Sequence, residues 1–134
     1  MKKELQEKLF KKYPKIFAQR YLSMEQTAMC WGIDTGDGWY WLIDQLCEYL
    51  QFQTDNNKSP QVEASQVKEK FGGLRFYVSG ADDRQYSAIR FAEFLSYSIC
   101  EDCGTTKEVS QNKTGWIRSL CPKCRKINKG PLEI

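Results

Sequence analysis

Two short cysteine pairs constrain this chain more than any other feature: Cys100-Glu101-Asp102-Cys103, then seventeen residues, then Cys121-Pro122-Lys123-Cys124. Each pair offers two soft sulfur donors from one tight turn. Two such pairs match the tetrahedral sulfur set of a bound zinc, with metal–sulfur bonds of about 2.3 Å. A catalytic zinc keeps an open position beside three protein ligands. Cys100, Cys103, Cys121 and Cys124 close the shell, so one structural zinc is expected. Zinc deaminases also use a C-x-x-C pair, but with an acid/base glutamate in an H-x-E or C-x-E motif, and none precedes these pairs. The other use of such cysteines, as disulfides, needs an oxidising compartment. The opening Met1-Lys2-Lys3-Glu4-Leu5 lacks the apolar stretch of a secretory signal, so a reducing cytoplasm is expected.

With 41% hydrophobic and 13% aromatic residues, the 134-residue chain can bury one compact core, which excludes a disordered chain. No apolar run approaches the ~18–20 residues of a membrane span, so no membrane partner is expected. Histidine is absent, which removes the usual general base and argues against an enzyme. Asp34, Asp37, Asp44, Glu48 and Glu69 remain as carboxylates that would have to converge on magnesium for chemistry on nucleotides. Their spacing does not demand it. The turn 33–39 also lacks the alternating acids and distal glutamate of a calcium loop.

Charge is strongly segregated. Residues 1–22 carry seven Lys/Arg against two Glu, and residues 23–57 carry six acids and no base. Segment 100–134 carries seven Lys/Arg and four acids; four thiolates around one Zn²⁺ would lower its net charge from +3 to about +1.

Leu5 and Leu9 predict a short amphipathic helix over 2–13, and Pro14 opens a further turn through Ile16, Phe17 and Tyr21. Ser23 and Gln26 form a capping-box pattern that predicts a helix over 24–30, ended by Gly32. Gly36-Asp37-Gly38 reads as a tight turn with Asp37 capping the next helix. That helix, over 39–52, buries Trp39, Leu42, Ile43, Leu46, Cys47 and Leu50 and exposes Asp44 and Glu48. Cys47 and Cys30 read as buried free thiols. After a polar loop at 53–60 the period changes to two, and a β-hairpin over 62–79 turns at Gly72-Gly73, with Phe76 inward. Asp82 or Asp83 caps a helix over 84–99 whose apolar positions (Ala88, Phe91, Ala92, Leu95 and Ile99, widened by Ile89, Phe94 and Tyr97) predict a central core element leading straight into Cys100. Strands at 107–109 and 116–120, separated by a turn at 112–115, complete a ribbon between the cysteine pairs, and 125–134 reads as an exposed tail.

The blocks GDGWYWLIDQLCEYL at 36–50, VKEKFGGLRFY at 67–77, and ICEDCG at 99–104 with GWIRSLCPKC at 115–124 together resemble a family of small uncharacterised bacteriophage and prophage proteins. The resemblance spans roughly 30–124 and implies a phage origin, a host-cytoplasmic setting and a zinc-ribbon end. It implies no activity.

The expected fold is α+β: a helical core with a hairpin over 1–99, and a zinc ribbon over 100–124 packed on it. The expected function is non-enzymatic binding of a host macromolecule. A protein is favoured, as in inhibition of a defence or transcription machine. The alternative partner is DNA or RNA, contacted by Lys113, Trp116, Arg118, Lys123, Arg125 and Lys126 around the metal site, with Trp116 either stacking on a base or filling the ribbon core.

Overall fold

The structure is a computed structural model, described over residues 1–127. It is a mixed α+β fold with two apolar clusters. The larger gathers α1 (Lys3–Lys12), α2 (Tyr40–Asn56), α3 (Asp83–Ser96) and a three-stranded sheet. The smaller contains Cys100, Leu120, Cys121 and Cys124. The sheet order is β1 (Ile33–Asp34), β2 (Glu63–Lys70), β3 (Gly73–Ser79). The first pair is parallel and the second antiparallel.

The α2 stripe lies where its 3.6-residue period places it: Trp39, Leu42, Ile43, Leu46, Cys47 and Leu50 are all buried. Burial raises the Cys47 thiol well above its ordinary value, with the Asp44 charge adding to the effect, so it is an inert core group. The helix runs past residue 52 to Asn56, into the stretch read as loop. The loop beyond it is pinned by donors that its composition did not advertise: Thr54 Oγ1 and Gln85 Nε2 both donate to the Pro60 carbonyl.

Asp44 is a correction. It is not on the solvated face of α2 but buried, accepting bonds from Tyr13 Oη at 2.8 Å and Lys12 Nζ at 3.0 Å. The basic N-terminal helix thus meets the acidic segment at the rim of the core, with Asp44 buried and the Lys12 side chain half exposed. Region 24–30 is a second correction. It holds only a 3-10 turn, Ala28–Trp31, capped by Thr27 and ended at Gly32 with φ of 79°. Asp37 does not cap α2. Its carboxylate accepts the Lys2 N–H at 2.7 Å, at the start of α1.

Strand β1 was hidden within the predicted turn, because two residues are too short to display a period. In β2 a bulge between Ala64 and Gln66 shifts the alternation, so Val62, Ala64 and Val67 all reach the core. Side chains engage N–H groups on both outer strands of the sheet. Gln6 Oε1 accepts the Ile33 N–H of β1 at 2.9 Å. On β3, the Leu74 and Phe76 N–H groups donate to Ser96 Oγ and a Glu93 carboxylate oxygen of α3, both at 2.9 Å. An Asp82–Gln85 capping box starts α3.

Helix α3 is not the all-round buried element its composition suggests. Its buried line is Gln85, Ile89, Ala92 and Ser96, while Phe91 and Phe94 are exposed and Ala88 and Leu95 half-buried. Ser96 and the half-buried Glu93 accept the β3 edge N–H groups, while Gln85 donates to Thr54 Oγ1 and the Pro60 carbonyl. The helix ends at Ser96, and a turn separates it from Cys100. Among the described residues no helix is long and apolar enough to cross a membrane.

The Asp44 cluster carries a pH dependence. Burial raises its carboxyl, but hydrogen bonds from Lys12 and Tyr13 outweigh that, and its pKa lies below the ordinary value. The stabilisation is therefore present above the ordinary carboxylate range and is lost as pH falls through the folded value. Tyr13→Phe should cost about 2 kcal/mol, as expected for a bond to a charged group, and should move the acid-unfolding midpoint to higher pH in circular-dichroism titrations.

Candidate metal centre

Four sulfur atoms converge at the C-terminal end. The Sγ atoms of Cys100, Cys103, Cys121 and Cys124 all lie within 4.8 Å of one another. Cys103 and Cys121 Sγ are 3.8 Å apart. That is about the edge of a tetrahedron with 2.3 Å metal–sulfur bonds, and far beyond the ~2.05 Å of a disulfide. All six cysteines are free thiols; Cys47 is buried as expected, but Cys30 is only half-buried. The donor set fits one metal ion. It is the only such group of three or more ligating side chains among the described residues.

The first pair sits on a loop turned by Gly104, with φ of 83°, and closed by the Gly104 N–H donating to the Cys100 carbonyl at 2.9 Å. The second pair follows a two-stranded ribbon, β4 (Ser110–Gln111) and β5 (Ser119–Leu120). These strands are shorter than expected and sit later than the predicted 107–109. A short helix, α4 (Pro122–Ile127), extends into the region read as tail, with Pro122 as its first residue. The rest of the predicted tail, 128–134, lies outside the described residues.

Protonation follows this geometry. The Cys124 N–H donates to Cys121 Sγ at 3.4 Å and, with the neighbouring thiols, holds the Cys121 thiol down at about 7. Burial and the three other sulfurs push Cys124 up. Four thiolates can coexist here only with a cation among them.

Two glycine-bearing blocks outside the ribbon hold it in place. The Gly38 N–H donates to the Glu101 carbonyl at 2.7 Å, the Gly36 N–H to Glu101 Oε2 at 2.9 Å, and Trp39 Nε1 to the Ile99 carbonyl at 2.9 Å. A Cβ on Gly38 would overlap the Cys100 and Glu101 carbonyl oxygens and the Gly104 amide. At the hairpin end, Ser119 Oγ donates to the Gly72 carbonyl, and the Glu101 N–H to the Ser119 carbonyl. Glu101 itself is buried. Burial pushes its carboxyl above its ordinary value against the pull of the Gly36 N–H and Arg118.

The six basic and aromatic candidates divide. Arg118 is half-buried and paired with Asp102 at 2.7 Å and Glu101 at 3.3 Å. Arg125 is half-buried, its guanidinium bonded to the Ser110 and Arg118 carbonyls and Asn112 Oδ1. Lys113, Lys123 and Lys126 are exposed. Trp116 is 78% exposed and so does not fill the ribbon core.

The carboxylates do not assemble. Asp44 is in the α1–α2 ion pair, Asp37 at the start of α1, and Glu48 on open α2 surface. Asp34 and Glu69 do line one cleft of about 660 Å³, together with Lys68, Trp116, Arg118 and Arg125. The hairpin turns one residue earlier than the expected Gly72-Gly73: Phe71 and Gly72 are its central residues, Gly73 begins β3, and Phe71 is left exposed at the tip.

Gly38→Ala should destabilise the protein by more than about 2 kcal/mol in denaturant titrations, because backbone rather than a mobile side chain must shift. Gly115→Ala, where φ is 74° but no atom lies within 4 Å, should cost only about 1 kcal/mol for the left-handed backbone.

Comparisons with family models, curated proteins and solved structures found no match to this chain.

Proposed function

We propose that this is a non-enzymatic, phage-type protein that uses one structural zinc to hold its C-terminal ribbon and binds a host protein through the outer face of α2 and α3. The all-sulfur tetrahedral donor set supports zinc over harder cations, which take oxygen ligands. The resemblance carried by the sequence blocks at 36–50, 67–77, 99–104 and 115–124 supports the phage setting and a host-cytoplasmic location.

One observation carries the binding reading. Trp41, Tyr49, Phe52, Phe91 and Phe94 are between 51% and 70% exposed, although all five lie on well-formed helices that have a core to pack into. With aromatic side chains of 150–250 Å² each, they leave on the order of 500 Å² of aromatic surface in water. A specific interface buries about 800 Å² per partner, so this surface supplies over half of one side. Trp41, Tyr49, Phe91 and Leu95 border a groove of about 190 Å³ between the helices. Helix α2 adds exposed Glu48 and Asp55 and has no basic residue, so the acidic flank lies on the α2 side, while α3 carries exposed Arg84 and Arg90. An amphipathic partner helix with an apolar face and a basic flank fits this combination.

Two experiments test the reading. Metal analysis should find about one zinc per chain, and Cys121→Ser or chelation should unfold the ribbon; full folding after chelation would contradict the structural role. Trp41→Ala and Phe91→Ala should each abolish retention of a host protein that wild type and Lys123→Ala both retain. Hydrogen exchange in the complex should protect α2 and α3. Retention that survives both aromatic substitutions, or protection only where two copies of this chain meet, would overturn it.

A further inference from the structure

A second surface lies where the hairpin tip meets the ribbon tip. Phe71 is the first central residue of the β2–β3 turn, with φ of 53°, followed by Gly72 at 85°. A two-residue turn with both φ values positive favours Asn or Asp at its first position, since a bulky side chain is strained there. The chain nevertheless places phenylalanine at this site and leaves it 65% exposed. No packing requirement accounts for that choice.

Trp116 borders the same cavity as Phe71. Asn112 Nδ2 donates to the Thr114 and Trp116 carbonyls, each at 2.7 Å, and fixes the loop. Glu69 then joins the two tips. One of its carboxylate oxygens accepts the Gly72 N–H at 2.8 Å, and the other accepts Trp116 Nε1 at 3.4 Å. The indole is therefore oriented, though exposed. Phe71, Trp116 and Ile117 border one cavity of about 390 Å³, within the ~300–1,000 Å³ range of ligand sites. Lys70, whose Nζ lies 5.6 Å from the Phe71 ring centroid, and Lys113 are exposed at the two tips.

We propose that Phe71 and Trp116 form a stacking platform for single-stranded nucleic acid, with a base held between the two rings and the phosphates met by Lys70 and Lys113. Planar aromatic faces bind any base, and lysines on the flanks complement the backbone charge. The adjoining Trp116 cleft, where Asp34, Glu69 and Glu101 match the charge of Lys68, Arg118 and Arg125, offers no net attraction for phosphate; Glu69 borders the platform cavity too, but there Lys70 and Lys113 at the two tips outnumber it. The backbone is therefore directed over the exposed lysines. This surface is separate from the α2–α3 face.

Fluorescence anisotropy with labelled thymidine and uridine homopolymers of about ten nucleotides, at about 50 mM NaCl, tests the proposal and separates DNA from RNA. Both oligomers, or one of them, should bind single-stranded and weaken when annealed to a complement. Trp116→Ala should weaken binding about ten-fold or more. Phe71→Asn should weaken it similarly while raising Tm, because asparagine relieves the left-handed strain. That pairing of gained stability with lost binding would not follow from misfolding. Lys70→Ala and Lys113→Ala should each lower the slope of log affinity against log salt by about 0.7. The proposal is overturned if neither oligomer binds, if Phe71→Asn binds as wild type does, if Trp41→Ala abolishes binding, or if the tip variants instead lose binding to phosphatidylcholine–phosphatidylserine vesicles.

Discussion

The ribbon is held to the core by backbone lying directly on backbone. Gly38 touches the Cys100–Gly104 turn with no side chain between them, and its N–H donates to the Glu101 carbonyl. Buried peptide groups must be paired, and here the partners come from segments more than sixty residues apart in sequence. The start of α2 is thereby tied to the first metal-ligand turn. Glu101 extends the seam in two directions, to Gly36 through its carboxylate and to Ser119 of β5 through its N–H. Helix α2, the sheet and the cysteine cluster depend on one another through this one turn.

This seam gives the glycines on either side of it a packing role. The glycines of the 36–50 and 67–77 blocks are not merely turn formers. Gly36, Gly38, Gly72 and Gly73 each lie against another part of the chain, and Gly73 stands where a Cβ would strike the Tyr97 ring. The cysteine spacing and the α2 stripe were legible, because ligand geometry and a 3.6-residue period are local properties. The α+β class followed from the same signals. The buried state of Asp44 was not legible, because its partners Lys12 and Tyr13 come from a different helix. Nor was the face of α3, where burying small and polar residues against a strand edge reverses what hydrophobicity alone predicts.

The candidate site was legible in the same uneven way. Four ligands could be named from spacing, and the structure brings their sulfurs together. The surrounding basic residues could be named but not sorted. Arg118 and Arg125 are engaged within the ribbon, while Lys113, Lys123 and Lys126 remain exposed. Sequence patterns carry no information about which cation meets a carboxylate or a carbonyl across a fold. Phe71 shows the converse: a residue in a strand-like run emerges at a turn, where the backbone rather than the period decides its exposure.

The side-chain contacts at the sheet edges bear on how this protein can recruit anything. A strand with free N–H groups is a template for another strand, whether a partner's or an aggregate's. Here Glu93 and Ser96 occupy such donors on β3, and Gln6 occupies one on β1. These contacts remove three of the donors a further strand would pair with. Side chains of α1 and α3, rather than backbone from a further strand, meet the sheet at these positions, so contact made there ends within the molecule and does not propagate from one copy to the next.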